Sequence, residues 1–374
     1  MAVVDDNDVD RDDSMRASLI LGDAGFAVVA SLLLSSIVAN QVCFYETSRW
    51  LPSMFLSIAS NVLVAGVLGV FYWRSSIGAH SSFASKLKLP LVSDDEVDEQ
   101  PTSRRLHLRI AGLSFLGVLN AGAMIIAAKG TEGALQSMLY QLTIPLNMLF
   151  SILLLRTAYR YLQYAGALLV LGGIIVVLAP QFFGTSSEAK NDASMVLLYA
   201  ASIIPTSLAS VLAESALRKN NASWGGITLW KLSFYTQLYQ IPMTALTLPL
   251  YSISALGKDR VPMDEIGDVL RKGARCLFAL STSSCTWKVP VTTFFLIASN
   301  VAMTVLAMMM YKKHSAAAVA IVSALSLPAT TMVFNAKAFG DTPDWKPDWS
   351  WTLFLGLVLV LAGNLLFKLN KNHK

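Results

Sequence analysis

The sequence predicts an all-α polytopic membrane protein whose ten crossing helices form two inverted five-helix halves. Three observations predict it. Hydrophobic residues make up 54% of the 374-residue chain and charged residues only 14%, against roughly 25% charged in an ordinary soluble domain. The apolar residues gather in long runs. Two of these, 163–178 and 351–367, carry no charge on any face, whereas a soluble surface helix alternates apolar and charged faces with a period near 3.6 residues. Finally, the two halves of the chain echo each other in matching helices.

A span needs about 20 mostly apolar residues to cross a hydrocarbon layer ~30 Å thick. Runs of that kind place helices at 24–43, 52–73, 109–128, 133–155, 160–179, 193–218, 228–250, 290–310, 315–338 and 350–368. Residues 1–23 form an acidic cytosolic N-terminus. Its acidity argues against a transit segment or a basic signal-peptide start, so the first span is expected to serve as an uncleaved anchor. Residues 24–179 make the first five-helix half, with a cytosolic linker at 74–108. A connecting loop follows at 180–192. The second half covers 193–368, with a non-cytosolic loop at 251–289, and 369–374 is a cytosolic tail.

Orientation follows from the basic residues in short loops, which favour the cytosolic side. Arg156 and Arg160, Arg218 and Lys219, and Lys312 and Lys313 all fall on one side. An even number of spans then puts both termini in the cytosol. The net charge of +5 therefore reads as a topology signal, with no nucleic acid implied. In the 251–289 loop, Val269, Leu270, Cys276, Leu277 and Phe278 recur at roughly helical spacing beside Arg271, Lys272 and Arg275. That pattern predicts an amphipathic helix, lying on the membrane surface or packed against the mouth of the bundle.

The repeat is carried by particular residues. The run from Gln141 to Pro145 returns as Ala324 to Pro328, and Gly166 to Gly173 returns as Gly356 to Gly363. These pair the fourth span with the ninth and the fifth with the tenth. Because five is odd, the second copy enters the membrane upside down, an architecture common in alternating-access carriers. Gly166, Gly173, Gly356 and Gly363 let helix backbones approach closely. Pro145 and Pro328 each remove a helical hydrogen bond and bend their helices.

Polar residues inside spans are costly and mark function or pairing. Glu214, late in the sixth span, faces either a cavity, where it can couple to protons, or Arg218 four residues on along the same helix face. Asn40, Gln41, Asn120, Gln141, Asn147 and Asn300 are amides within or beside spans. Each is explained alone by an interhelical hydrogen bond, but together they predict a polar, mainly uncharged central cavity. Tyr140, Tyr235 and Tyr239 suit an organic solute there. Cys276 and Cys285 are candidates for a disulfide in an oxidising lumen, and Cys43 for a packed thiol. No GxSxG, HExxH or phosphate-binding glycine loop occurs, and the four histidines fall in loops or termini. The expectation is a non-enzyme without cofactor or metal, and a monomer in the lipid bilayer.

The stretch from Leu135 to Val177, LQSMLYQLTIPLNMLFSILLLRTAYRYLQYAGALLVLGGIIVV, resembles the fourth and fifth spans of the chloroquine resistance transporter family, within the drug/metabolite transporter superfamily. Asn40, Ala213 and Glu214 with Arg218 and Lys219, Gly273 to Phe278, Trp287 and Lys288, Ile321 to Ser323, and Pro328 extend the likeness over nearly the whole chain. The resemblance implies ten helices around a central cavity. It also implies a vacuolar or lysosome-like membrane, with a plastid envelope in plant relatives. Transport would be proton-linked, with amino acids, peptides, thiols or cationic drugs as solutes. Glu214 matches a family glutamate near the cavity. Asn120 stands where the parasite proteins carry an aspartate, and Gln41 where the drug-sensitive parasite form has a lysine, so two charge changes partly cancel. The expected function is export of small organic solutes from an acidic lumen to the cytosol. A nucleotide-sugar or phosphate antiporter of the same fold would want cavity cations, for which only Lys231 and Lys337 are candidates. A non-transporting scaffold would need no continuous polar cavity.

Overall fold

The computed structural model describes residues 27–43, 53–78, 104–127, 133–183, 193–218, 227–252, 261–278, 287–335 and 351–369, with Thr47, Leu51, Thr131 and Trp224 besides. The acidic N-terminus, most of the 74–108 linker, most of the 180–192 loop, Cys285, Lys337 and the tail beyond 369 lie outside the described residues. So does the Pro328 side chain.

Among the described residues the chain is helical throughout. The helices are α1 (Ala27–Cys43), α2 (Ser53–Gly78), α3 (Arg104–Ala127), α4 (Gly133–Leu139), α5 (Thr143–Leu155), α6 (Tyr161–Phe183), α7 (Ala193–Leu217), α8 (Leu229–Leu246), α9 (Ile266–Leu277), α10 (Lys288–Lys313), α11 (Ala316–Asn335) and α12 (Trp351–Leu369). Each of the ten expected segments is helical. Five of them (in α2, α3, α6, α7 and α10) are long and apolar enough to cross a membrane, and α1, α5, α11 and α12 contain shorter apolar stretches. This is a multi-pass membrane protein. Its exposed surface fits that reading, since Phe115, Leu153, Leu168, Ile175, Phe294 and Leu365 are all bare, as side chains facing lipid tails would be.

The fourth span is broken. A 3-10 turn at Tyr140–Leu142 separates α4 from α5, because Pro145 has no N–H to give to the carbonyl four residues back. Gln141, buried at 3% exposure, sits in that turn. At its other end α5 stops at Arg156, which adopts a left-handed conformation with φ of 51°. Thr228 starts α8 by accepting the Lys231 N–H on its hydroxyl at 3.3 Å, the usual side-chain cap.

Two packing seams position everything else. In the first, α6 and α12 run antiparallel with their glycines in register. A methyl on Gly173 would lie 2.8 Å from the Gly356 carbonyl oxygen, and one on Gly363 would lie 2.5 Å from that of Gly166. In the second, α8 lies between α2 and α3. There Ser114 donates to the Thr236 carbonyl at 2.9 Å and Asn61 donates to Thr244 at 3.0 Å. The amphipathic helix expected in the 251–289 loop is α9. It is packed on the bundle: Leu270, Ala274, Cys276 and Leu277 lie against Leu51, Phe55, Val289 and Leu296. Gly273 is pressed against the Phe55 ring, which leaves no room for a side chain.

Candidate functional site

The buried stripe of α7 runs Val196, Tyr199, Ile203, Ser207, Val211, Glu214, stepping three or four residues at a time along one face. It packs against Ile144 and Met148 on α5. Glu214 ends the stripe and is only 1% exposed. A carboxylate held that far from water is costly unless every oxygen is engaged, and both are. Oε1 accepts from Arg218 Nη2 at 2.6 Å, and Oε2 accepts from the backbone N–H of Ala316 at 2.7 Å.

Ala316 is the first residue of α11. The first N–H groups of a helix have no partner inside it, and the dipole there favours an anion. The chain leaves α10 at Lys313 and enters α11 two residues after that helix ends, with Ser315 Oγ accepting the Ala318 N–H at 3.2 Å. Glu214 takes the next free N–H. Asn147 on α5 grips the same residue from another side, its Nδ2 donating to the Ala316 carbonyl at 3.3 Å. The second amide atom, Asn147 Oδ1, is buried without a partner, as are Ser151 Oγ and Ser207 Oγ. Tyr311 on α10 donates to Ser210 Oγ at 3.2 Å and lies within electrostatic reach of Tyr140 and Glu214. Tyr140 is likewise within reach of Tyr199. Glu214 and Asn147 thus meet at the backbone of Ala316, a polar junction of α5, α7 and α11 with Tyr311 of α10 beside it.

The other sequence-predicted residues lie elsewhere. Asn40 is half-buried on α1 and reaches α10, with Nδ2 at 3.5 Å from both the Leu296 carbonyl and Ser299 Oγ. Gln41, its neighbour, is exposed, and Asn300 is half-buried on α10. Asn120 lies on α3 with its Oδ1 buried and without a partner, as is Gln237 Oε1 on α8. Tyr235 belongs to an aromatic seam near the start of α3. A cleft lined by Gly122, Ile126, Thr247, Leu250 and Tyr251 includes none of the predicted cavity residues. Cys276 is disulfide-bonded and Cys43 is half-buried, while Cys285 falls outside the described residues.

One expectation needs correcting. His107 is not in a loop, because α3 begins at Arg104. Its Nδ1 is 2.8 Å from the Tyr239 hydroxyl, and its ring meets Tyr235 edge-on at 5.1 Å. Tyr235 in turn touches Tyr72 at 6.0 Å, and Tyr72 stacks on Phe234 at 5.5 Å. The paired arginines at 104 and 105 looked like a loop in sequence, yet they begin a helix whose first turn stands above the apolar stretch. Among the described residues no His, Cys, Asp and Glu group can hold a metal ion.

Comparison with known proteins follows the same outline. Residues 87–367 match the model of the CRT-like family, chloroquine-resistance transporter-like. The chloroquine resistance transporter of Toxoplasma gondii is 28% identical over 358 residues, covering 90% of this chain and 38% of that protein. That of Plasmodium vivax is 35% identical over 174 residues, 45% of this chain and 39% of that protein. The putative chloroquine resistance transporter of Plasmodium knowlesi is 29% identical over 298 residues, 72% and 68% of the two chains. This chain therefore spans less than half the length of the first two.

Proposed function

Since the chain belongs to the CRT-like, chloroquine-resistance transporter-like family, we propose that it is a proton-linked carrier. In this reading it exports small organic solutes, such as amino acids, peptides, thiols or cationic drugs, from an acidic lumen to the cytosol. No bond is made or broken; solute and proton bias two arrangements of the same helices. The observation that carries the reading is Glu214, a carboxylate buried in a membrane helix and held at once by a cation and by the N-terminus of another helix. Adding a proton removes the charge that both partners answer, so occupancy by a proton and the position of α11 are linked.

The packing supports two inverted halves of five crossings each, 24–179 and 193–368. At the sequence offset that relates Gly166 to Gly356 and Gly173 to Gly363, a two-fold relation requires Gly173 to meet Gly356 and Gly166 to meet Gly363. They do. A methyl on Gly363 would lie 2.9 Å from Val170 Cγ2, and one on Gly173 would lie 3.0 Å from Cγ2 of its counterpart Val360. Helix pairs map onto each other likewise: α3 with α8 onto α10 with α2, and α5 with α7 onto α11 with α1. The basic ends of α2, α3, α7 and α10, which carry Arg74, Arg104, Arg105, Arg218, Lys312 and Lys313, support a cytosolic placing of that side. With it go cytosolic termini and a lumenal α9 tied by Cys276 to Cys285. An acidic lumen points to a vacuolar or lysosome-like membrane. Asn40, Gln41, Asn120, Gln141, Tyr140, Asn300 and Tyr235 are the residues we assign to the solute path of a monomer.

The test is uptake into proteoliposomes with an imposed pH gradient, using glutathione, arginine, a short peptide and chloroquine as solutes. At least one of them should be driven by the gradient, and Glu214→Gln should abolish the drive while leaving downhill exchange. Flux that ignores the gradient in the parent protein, or responds equally in the variant, would remove Glu214 from the mechanism.

A further inference from the structure

Proton-linked transport requires the state of one buried group to be felt across the two halves, and the α10–α11 turn offers a physical route. Glu214 and Ala316 both belong to the second half, so their bond alone ties that half to itself. Asn147, on α5 of the first half, holds the same residue by its other backbone group, at 3.3 Å. The Ala316 backbone is therefore held at two successive peptide groups: its N–H by Glu214 Oε2 and its C=O by Asn147 Nδ2.

We propose that Asn147 is a positioning residue for transport, passing the state of Glu214 to the opposite half of the bundle through the backbone of Ala316. The inference rests on the proton-linked reading above. Three features point to it. Asn147 is 1% exposed, so water cannot substitute for the bond it makes. Its Oδ1 is buried and unpartnered, so the side chain is held there by the Ala316 bond and not by a fully satisfied local network. The residue it grips is also the one that Glu214 caps, so a displacement of the Ala316 backbone bears on both bonds. The charged and titratable groups around Glu214 are Arg218 on its own helix, Tyr311 on α10, which lies within electrostatic reach, and the dipole of α11. Lys312 and His314 flank the same turn. Protonating Glu214 weakens the cap on α11. The freed turn then moves Asn147, and with it α5.

The experiment separates local release from transmission. Lys313, exposed at the end of α10, is replaced by cysteine in a Cys43→Ala background, and its labelling by a charged maleimide is followed against pH in the full-length protein in liposomes. Gradient-driven uptake of the solute found above is measured in parallel. In the parent, labelling measured relative to a small free thiol at the same pH, which removes the loss of thiolate in acid, should accelerate several-fold on acidification. On the same relative scale Glu214→Gln should label fast at every pH. Asn147→Leu should keep the pH-dependent labelling but lose gradient-driven uptake by about tenfold, the size expected for one buried hydrogen bond. Asn147→Gln, which keeps the donor, should recover part of the loss. Asn147→Ala is read beside the Leu variant, and thermal unfolding confirms that each protein is folded. If the parent shows neither pH-dependent labelling nor a response to the gradient, the proton-linked reading falls and the inference with it. If the parent shows both and the Asn147 variants transport like it, only the role of Asn147 is overturned.

Discussion

The α6–α12 seam and the junction around Glu214 hold the same bundle together by opposite means. In the seam, glycine meets carbonyl and valine meets glycine, with Gly166, Gly173, Gly356 and Gly363 as the contact points. It depends on shape alone and is self-complementary. At the junction a carboxylate, a guanidinium, an amide and two backbone groups meet. It depends on a charge state. The difference teaches which part can move. Close-packed backbones have no alternative arrangement that keeps their contacts, whereas charge-assisted hydrogen bonds can be released by a proton. The seam is suited to be the fixed axis of the molecule and the junction its moving corner.

Breaking the seam should have the largest effect. Gly173→Leu drives a side chain into the Gly356 carbonyl, and backbone cannot step aside as a flexible side chain would. Overpacking of that kind costs on the order of 3 kcal/mol or more, enough to lose folded protein in detergent size-exclusion. Gly172→Leu, one residue away, meets nothing within 4 Å and should yield normal protein. If both variants fold alike, the seam is not tight.

Breaking the junction should cost less in folding and more in response. Arg218→Met leaves the Glu214 carboxylate buried with only the α11 N-terminus for company. Removing one member of a fully buried pair costs about 3–5 kcal/mol. Arg218 is 41% exposed, so solvent screening reduces this to about 1–2 kcal/mol. Thermal unfolding at neutral pH should show that loss, and raising the salt concentration should leave most of it, since the carboxylate side of the pair is buried. A variant as stable as the parent would mean that the pair does not matter as a charge pair.

The aromatic seam near α3 provides the smallest and sharpest comparison. Tyr239→Phe removes the hydroxyl facing His107 and leaves the ring contacts in place. It should cost about 1 kcal/mol, read as a modest drop in melting temperature. A larger loss would place this seam with the charge-dependent junction.

Much of the fold was legible because hydrocarbon imposes a simple rule. Among the described residues each expected segment is helical, and the fourth breaks beside Pro145 because a missing N–H is written directly in the sequence. The glycine repeats announced close packing, though not that α6 meets α12. His107 was misplaced because Arg104 and Arg105 read as loop. Glu214 and its partner Arg218 were both visible at helical spacing, but Ala316 was not. Its role belongs to a backbone N–H and C=O, and every residue has those. Asn147 stood out only as one amide among several until the fold set it against α11.

By itself the sequence determined which stretches are long, apolar and helical, and which few polar groups within them need partners. It does so because each uncharged run carries its own transfer cost, independent of its neighbours. Only the tertiary structure decided who those partners are. A buried carboxylate must be satisfied by something, but whether that is a cation four residues away, a helix end a hundred residues on, or both depends on how the helices cross. Crossing is set by the packing of whole faces and leaves no mark on any single residue.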